Sequence, residues 1–130
     1  MKIYNRLISS PYPTVEELIY LDDTLISGWV KSLPHYYRDD DSVMMDPAHS
    51  QGHAIVRWRL RNLRIIMFRP FLIRWSIKLS LDESQRFETF SPAETLAIDR
   101  CFKAAKESIN SIVAYWRSCT HTRLAAWYIL

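Results

Sequence analysis

The sequence predicts an all-α fold, and three observations carry that expectation. Only two glycines occur in 130 residues, too few for the positive-φ turns of a hairpin-rich β protein, while helix formers abound. Two helix-start signatures stand in the chain, Thr14-Val15-Glu16-Glu17 and Ser91-Pro92-Ala93-Glu94, each with a hydroxyl cap three residues ahead of a glutamate. From Ile98 to Trp116 the apolar positions advance by four and three in alternation, the spacing of a helix packed lengthwise in a bundle. With 48% hydrophobic and 13% aromatic content the chain can fill a core. The expectation is one helical unit over residues 1–130, a partial bundle of about four helices.

The first helix should run from Val15 to Ser32, with Thr14 capping the free amides and Glu17 reaching back to Thr14. Leu18, Leu21, Leu25, Trp29 and Leu33 form its apolar stripe, leaving Glu16, Asp23 and Lys31 wet. Gly28 is the position where another backbone or a bulky ring is expected to come close. Pro34 stops the helix, because the residue before a proline is pushed out of the α region. From Pro34 to about His53 the chain reads as a long loop, acidic at Asp39-Asp40-Asp41.

The segment from Arg57 to Trp75 threads six arginines through otherwise almost wholly apolar sequence. Apolar residues fill every sector of its helical wheel, so this helix needs contacts on most sides, and arginine is the cation best suited to partly buried sites. Pro70 cannot donate to the carbonyl of Ile66 and is expected to kink the helix. Ser76 to Phe90 reads as a second linker, with Ile77, Leu79 and Leu81 alternating as in a short strand. The next helix opens at Ser91-Pro92-Ala93-Glu94 and buries Ile98, Phe102, Ala105, Ile109, Ile112 and Trp116. Asp99 with Lys103 supports its surface, and a last helix is expected from about Thr122 after a break at Ser118 to His121.

Charge is unevenly spread. The net charge is +3, yet Pro47 to Leu81 holds seven basic residues and no acidic one, leaving ten basic against fourteen acidic elsewhere. Arg57, Arg61 and Arg64 share a face that would suit phosphate contacts. The same face continues into Phe68, Phe71 and Trp75, which need burial, so pairing with carboxylates and carbonyls is the favoured reading over nucleic-acid binding. Membrane-surface binding fails because arginine and apolar faces are not segregated, and no run approaches the length of a membrane span.

The search for chemistry is largely negative. His49 and His53 are four apart, but no third ligand is placed near them and Gly52 argues against a shared helix, so they read as loop residues. Asp39, Asp40 and Asp41 lack the alternation and closing glutamate of a calcium loop. Cys101 and Cys119, eighteen positions apart, have no metal or redox spacing and fit buried free thiols in an intracellular protein. Cys101 with His121 or a serine is the only formal nucleophile pair, and no glycine-rich phosphate loop exists. The chain is therefore expected not to be an enzyme, with no catalytic, cofactor or metal residue.

Four blocks carry a resemblance: Trp29-Val30-Lys31-Ser32-Leu33-Pro34, then Arg61 through Leu72, then Cys101 through Ile109, and Trp127-Tyr128-Ile129-Leu130. In order and separation they resemble the middle homology region of fungal binuclear zinc-cluster transcription factors, particularly the galactose-regulator type. The arginine-proline block is the most specific of the four. The resemblance implies a helical regulatory domain in the nucleus, controlling RNA polymerase II transcription of metabolic genes, carbohydrate metabolism among them. Its implied partners are the remainder of the parent factor and a small-molecule inducer or co-regulator protein. DNA would be bound through a six-cysteine cluster holding two zinc ions, which two cysteines cannot form, so zinc and DNA belong to the parent protein.

On this reading Arg57, Arg61, Arg64 and Arg69 hold the helix kinked at Pro70 against its neighbours, and Trp29 and Pro34 are further interaction candidates. The wholly apolar end, Leu124 to Leu130, raises the expectation of a piece truncated at both ends. The rival expectation is a stand-alone intracellular helical adaptor that binds a ligand or a partner.

Overall fold

A computed structural model describes residues 2–38, 47–80 and 90–118. The described residues are helical, without strands, as the glycine count and capping signals require. In chain order they form α1 (Lys2–Leu7), α2 (Val15–Leu21), a π-helical segment (Asp22–Ile26), α3 (Ser27–Ser32), a 3-10 turn (His35–Tyr37), α4 (Pro47–Ser80) and α5 (Pro92–Ser118). Helical dihedrals at Leu21, Asp22, Ile26 and Ser27 join α2, the π segment and α3 into one rod. The result is four rods around one core.

The π segment corrects the expected stripe. Each residue of a π turn adds to the count per turn, so the inward face steps by four from Leu18 to Asp22, Ile26 and Val30. Val15, Leu18 and Ile26 are buried and Val30 packs against them, whereas Leu25 and Trp29 are 38% and 48% exposed. The hydroxyls of Thr24 and Ser27 donate to the carbonyls of Tyr20 and Asp22 at 2.6 and 3.2 Å, satisfying carbonyls along the widened winding.

Thr14 caps α2 as expected, accepting from the Glu17 amide at 3.3 Å. The Glu17 carboxylate feels the Thr14 backbone amide as expected, but its main partner is Arg6 of α1, which takes it with Nε and, at 2.7 Å, with Nη2. At α5 both halves are present: the Glu94 amide donates to Ser91 Oγ at 3.1 Å and the Ser91 amide to Glu94 Oε2 at 2.9 Å. The other Glu94 oxygen lies 3.0 Å from Arg74 Nη1, tying the start of α5 to α4.

Helix α4 is longer than the sequence reading gave it at both ends. It begins at Pro47 rather than near His53, continues through Gly52 and Pro70, and extends to Ser80, so residues 76–80 are neither linker nor strand. Gly52 is the glycine that matters for packing. A methyl group there would lie 3.2 Å from the Tyr37 hydroxyl, whereas Gly28, the expected close-approach site, has nothing within 4 Å. Pro34 does end α3, and its carbonyl accepts from the Tyr37 amide at 2.9 Å, forming the turn that brings the ring to α4.

Helices α4 and α5 share the most extensive interface and run antiparallel, since Trp58 meets Ser111 and Tyr115, Arg61 meets Glu107, Ile65 meets Cys101 and Arg74 meets Glu94. The buried face of α5 matches the expected seam only in part, at Ile98 and, half-buried, at Ala105 and Ile112. Ala97, Ile98, Cys101 and Ala104 are buried, while Phe102, Ile109 and Trp116 are exposed. Small residues let the α5 backbone approach α4 closely, and the volume is supplied from the other side by Met67, Phe68 and Trp58. The expected last helix, the Asp39-Asp40-Asp41 run and the pairing of Cys101 with His121 fall outside the described residues.

Candidate functional site

The arginines of α4 meet the rest of the fold at Asp22. This residue is 3% exposed, four positions after the buried Leu18 and on the same face of the rod. Its Oδ1 lies 2.8 Å from Arg64 Nε on α4 and its Oδ2 lies 2.8 Å from Arg100 Nη1 on α5. A buried carboxylate without partners would be heavily penalised, and two charge-assisted contacts from two helices offset that cost. Asp23 joins from the same turn, its oxygens 2.8 and 3.1 Å from Arg100 Nη1 and Nη2. Hydrogen bonding to Asp23, with Asp22 adding to it against the opposing effect of burial, raises the Arg100 pKa and holds it cationic. Three rods are thus pinned at one point.

One turn along α4, Arg61 is 8% exposed and its Nε stands 3.4 Å from Glu107 Oε2 on α5. Its Nη1 is buried and meets no acceptor among the described residues. A cleft of about 330 Å³ opens beside this pair, walled by α3, the 3-10 turn, α4 and α5, with Arg57, Arg61 and Arg64 among its lining residues. Tyr37 lines it as well and stacks on His53, with ring centroids 6.4 Å apart.

The expected site residues therefore separate. Arg57, Arg61 and Arg64 come together on the inner side of α4, whereas Arg69 and Pro70 are exposed and bound a shallow surface hollow with Ile66 and Ile73. Arg69 lies on the exposed side of α4, apart from the other three arginines. Trp29 faces a different feature, an apolar groove of about 900 Å³ that it lines with Tyr4 and Leu25. Pro34 is exposed and acts through the turn it starts.

Asp22, Arg100 and Glu107 are the residues that sequence reasoning passed over. The available signal was Asp22 itself, four positions after the buried Leu18, an acid on an apolar stripe opposite an arginine-rich helix. The histidine reading is also corrected, since α4 spans both His49 and His53. Among the described residues no group of three His, Cys, Asp or Glu side chains is placed to hold a metal ion, and no helix is long and apolar enough to cross a membrane. Cys101 is 2% exposed, and burial raises its thiol pKa, with the Arg69 charge opposing weakly.

Fold and site define an all-α scaffold whose central helix is fastened by arginine–carboxylate contacts. Comparison with protein-family models, curated proteins and solved structures gives no match to this chain.

Proposed function

We propose that this chain is a non-enzymatic regulatory segment of a nuclear transcription factor of the fungal zinc-cluster type, acting on RNA polymerase II transcription of metabolic genes. The reading rests on the four sequence blocks that resemble the middle homology region. The structural observation that supports it is the Asp22 pin: Arg64 meets Asp22 at 2.8 Å inside the fold, so this α4 arginine works as an internal fastening. DNA contact and zinc are assigned to a cysteine cluster elsewhere in the parent protein. In this segment an inducer or co-regulator shifts the packing of three rods, and it can do so only through different affinity for the two packings.

The first test is the reading frame upstream. A six-cysteine cluster followed by a dimerising coiled coil supports the regulatory reading, and a frame without one removes it. In the parent protein, Asp22→Asn should change inducible reporter output while promoter occupancy stays constant; a parallel loss of both would place the effect on folding alone.

A stand-alone ligand- or partner-binding adaptor is the second reading, favoured by the groove along Tyr4, Leu25 and Trp29. It gains if the upstream frame holds no cluster.

A further inference from the structure

We propose that the cleft between α3, the 3-10 turn and α4 is a binding site for a small phosphomonoester. Among the described residues five cationic side chains line it, Lys31, Arg38, Arg57, Arg61 and Arg64, against one carboxylate, Glu107. They come from α3, the end of the 3-10 turn and α4, so the cations of three elements line one cleft. A concave site lined by one sign of charge concentrates counter-ions of the other sign. Asp22 answers Arg64, but Glu107 answers Arg61 only loosely: its oxygen stands 3.4 Å from Arg61 Nε, and Arg61 Nη1 finds no acceptor among the described residues.

The shape of the charge favours phosphate over other anions. Arg64 commits its Nε to Asp22, and a guanidinium has four further N–H donors. Arg38 likewise commits Nε to the Leu33 carbonyl at 2.9 Å. Donors reaching one space from several directions match the three terminal oxygens of a phosphomonoester, which arginine forks bind in bidentate fashion. A dicarboxylate offers two planar, singly charged groups and no face of three terminal oxygens for these forks. Val30, Leu60 and Tyr37 supply an apolar wall for the carbon part of the ligand. The volume, about 330 Å³, lies at the small end of the range of small-molecule pockets, which excludes a large cofactor. Duplex DNA does not fit a cleft closed by four elements.

This site gives the regulatory reading its ligand class, and that relevance rests on the reading; its test is a binding measurement on the 130-residue chain, which can fail without touching the reporter and reading-frame tests. Calorimetric titration with glycerol 3-phosphate and with inorganic phosphate at constant ionic strength should show saturable binding at one site, with succinate at least about tenfold weaker. Lys31 and Arg38 are exposed, so the double change Lys31→Gln with Arg38→Gln, its folding checked by circular dichroism because Arg38 also holds the Leu33 carbonyl, should weaken phosphate binding about fivefold or more. Glu107→Gln removes the competing carboxylate and should tighten it about threefold. No saturable phosphate binding, or binding indifferent to both variants, overturns the proposal. Succinate binding as tightly as phosphate, or displacement of phosphate by duplex DNA, overturns it as well.

Discussion

Arg64 Nε stands 2.8 Å from Asp22 Oδ1 across 42 positions of sequence, and Asp22 is 3% exposed while Arg64 keeps about a third of its side chain in solvent. The acid is the buried partner and the arginine bridges to the surface. Losing the acid and losing the arginine are therefore unequal events.

Asp22→Asn should destabilise the chain by about 2 kcal/mol, because two charge-assisted contacts become weaker neutral ones. Thermal unfolding should show Tm lower by about 5–10 °C. Arg64→Gln should cost less than Asp22→Asn, since Arg100 still neutralises the acid at 2.8 Å. An equal or larger loss for Arg64→Gln would mean that Asp22 is not the centre of the pin.

Arg61 and Arg69 lie eight positions apart on α4 and should behave oppositely. Arg61 is buried, and truncation to Ala removes packed methylenes as well as the Glu107 contact, costing about 1–2 kcal/mol. Arg69 is exposed, and Arg69→Ala should stay within about 0.5 kcal/mol of the parent chain. Denaturant unfolding of the two variants, with unchanged m values, checks the contrast.

Deleting Thr24 should be better tolerated than inserting an alanine after it. The deletion shortens the steps from Leu18 through Asp22, Ile26 and Val30 to four, three and four, the winding of an ordinary α-helix, with the same residues facing inward. The insertion rotates α3 by about 100° and carries Val30 off the core. Circular dichroism and Tm should place the deletion within about 1.5 kcal/mol of the parent, and the insertion well below it.

Glu17 should make the seating of α1 acid-sensitive. Hydrogen bonding to Arg6 lowers the Glu17 pKa, with burial opposing and the Arg6 charge adding to the effect. A depressed folded-state pKa stabilises above the unfolded value, and that contribution is lost as pH falls through the folded value. The loss should therefore begin below about pH 4.3 and grow toward lower pH. The pair is exposed, so the effect should shrink with added salt. Hydrogen exchange at α1 amides in Glu17→Gln should lack this pH step.

Cys101 should be unreactive in the folded chain, because it is 2% exposed and burial raises its pKa, disfavouring the nucleophilic thiolate. In a chain with Cys119→Ser, a thiol reagent should label Cys101 only at the rate of opening, and at once in denaturant. Rapid labelling without denaturant would place the α4–α5 interface further open than described.

Much of the helical order was legible along the chain. Thr14 and Ser91 announce their helices through hydroxyls three residues from a backbone donor, Pro34 ends α3 through a local clash, and the arginines among apolar residues require an enclosed helix. These signals are short-ranged, so local sequence carries them whole. The reading failed where two helix faces competed. On α5, Phe102, Ile109 and Trp116 have the better apolar spacing, yet Ala97, Cys101 and Ala104 are the buried positions, while Phe102 meets Trp75 of α4 only edge to face at the rim. Glu17 and Gly52 show the same dependence: Arg6 claims the one, and the Tyr37 ring demands the other.

What the sequence determined by itself, then, is helix content, the places where α2 and α5 begin, and a cationic rod that had to be buried. Which carboxylates meet that rod was decided only in three dimensions. The extra residue in the Asp22–Ile26 segment turns Ile26 inward after Asp22 and leaves Leu25 outside. Asp22 meets Arg64 and Arg100, 42 and 78 residues away, and no local pattern encodes those contacts.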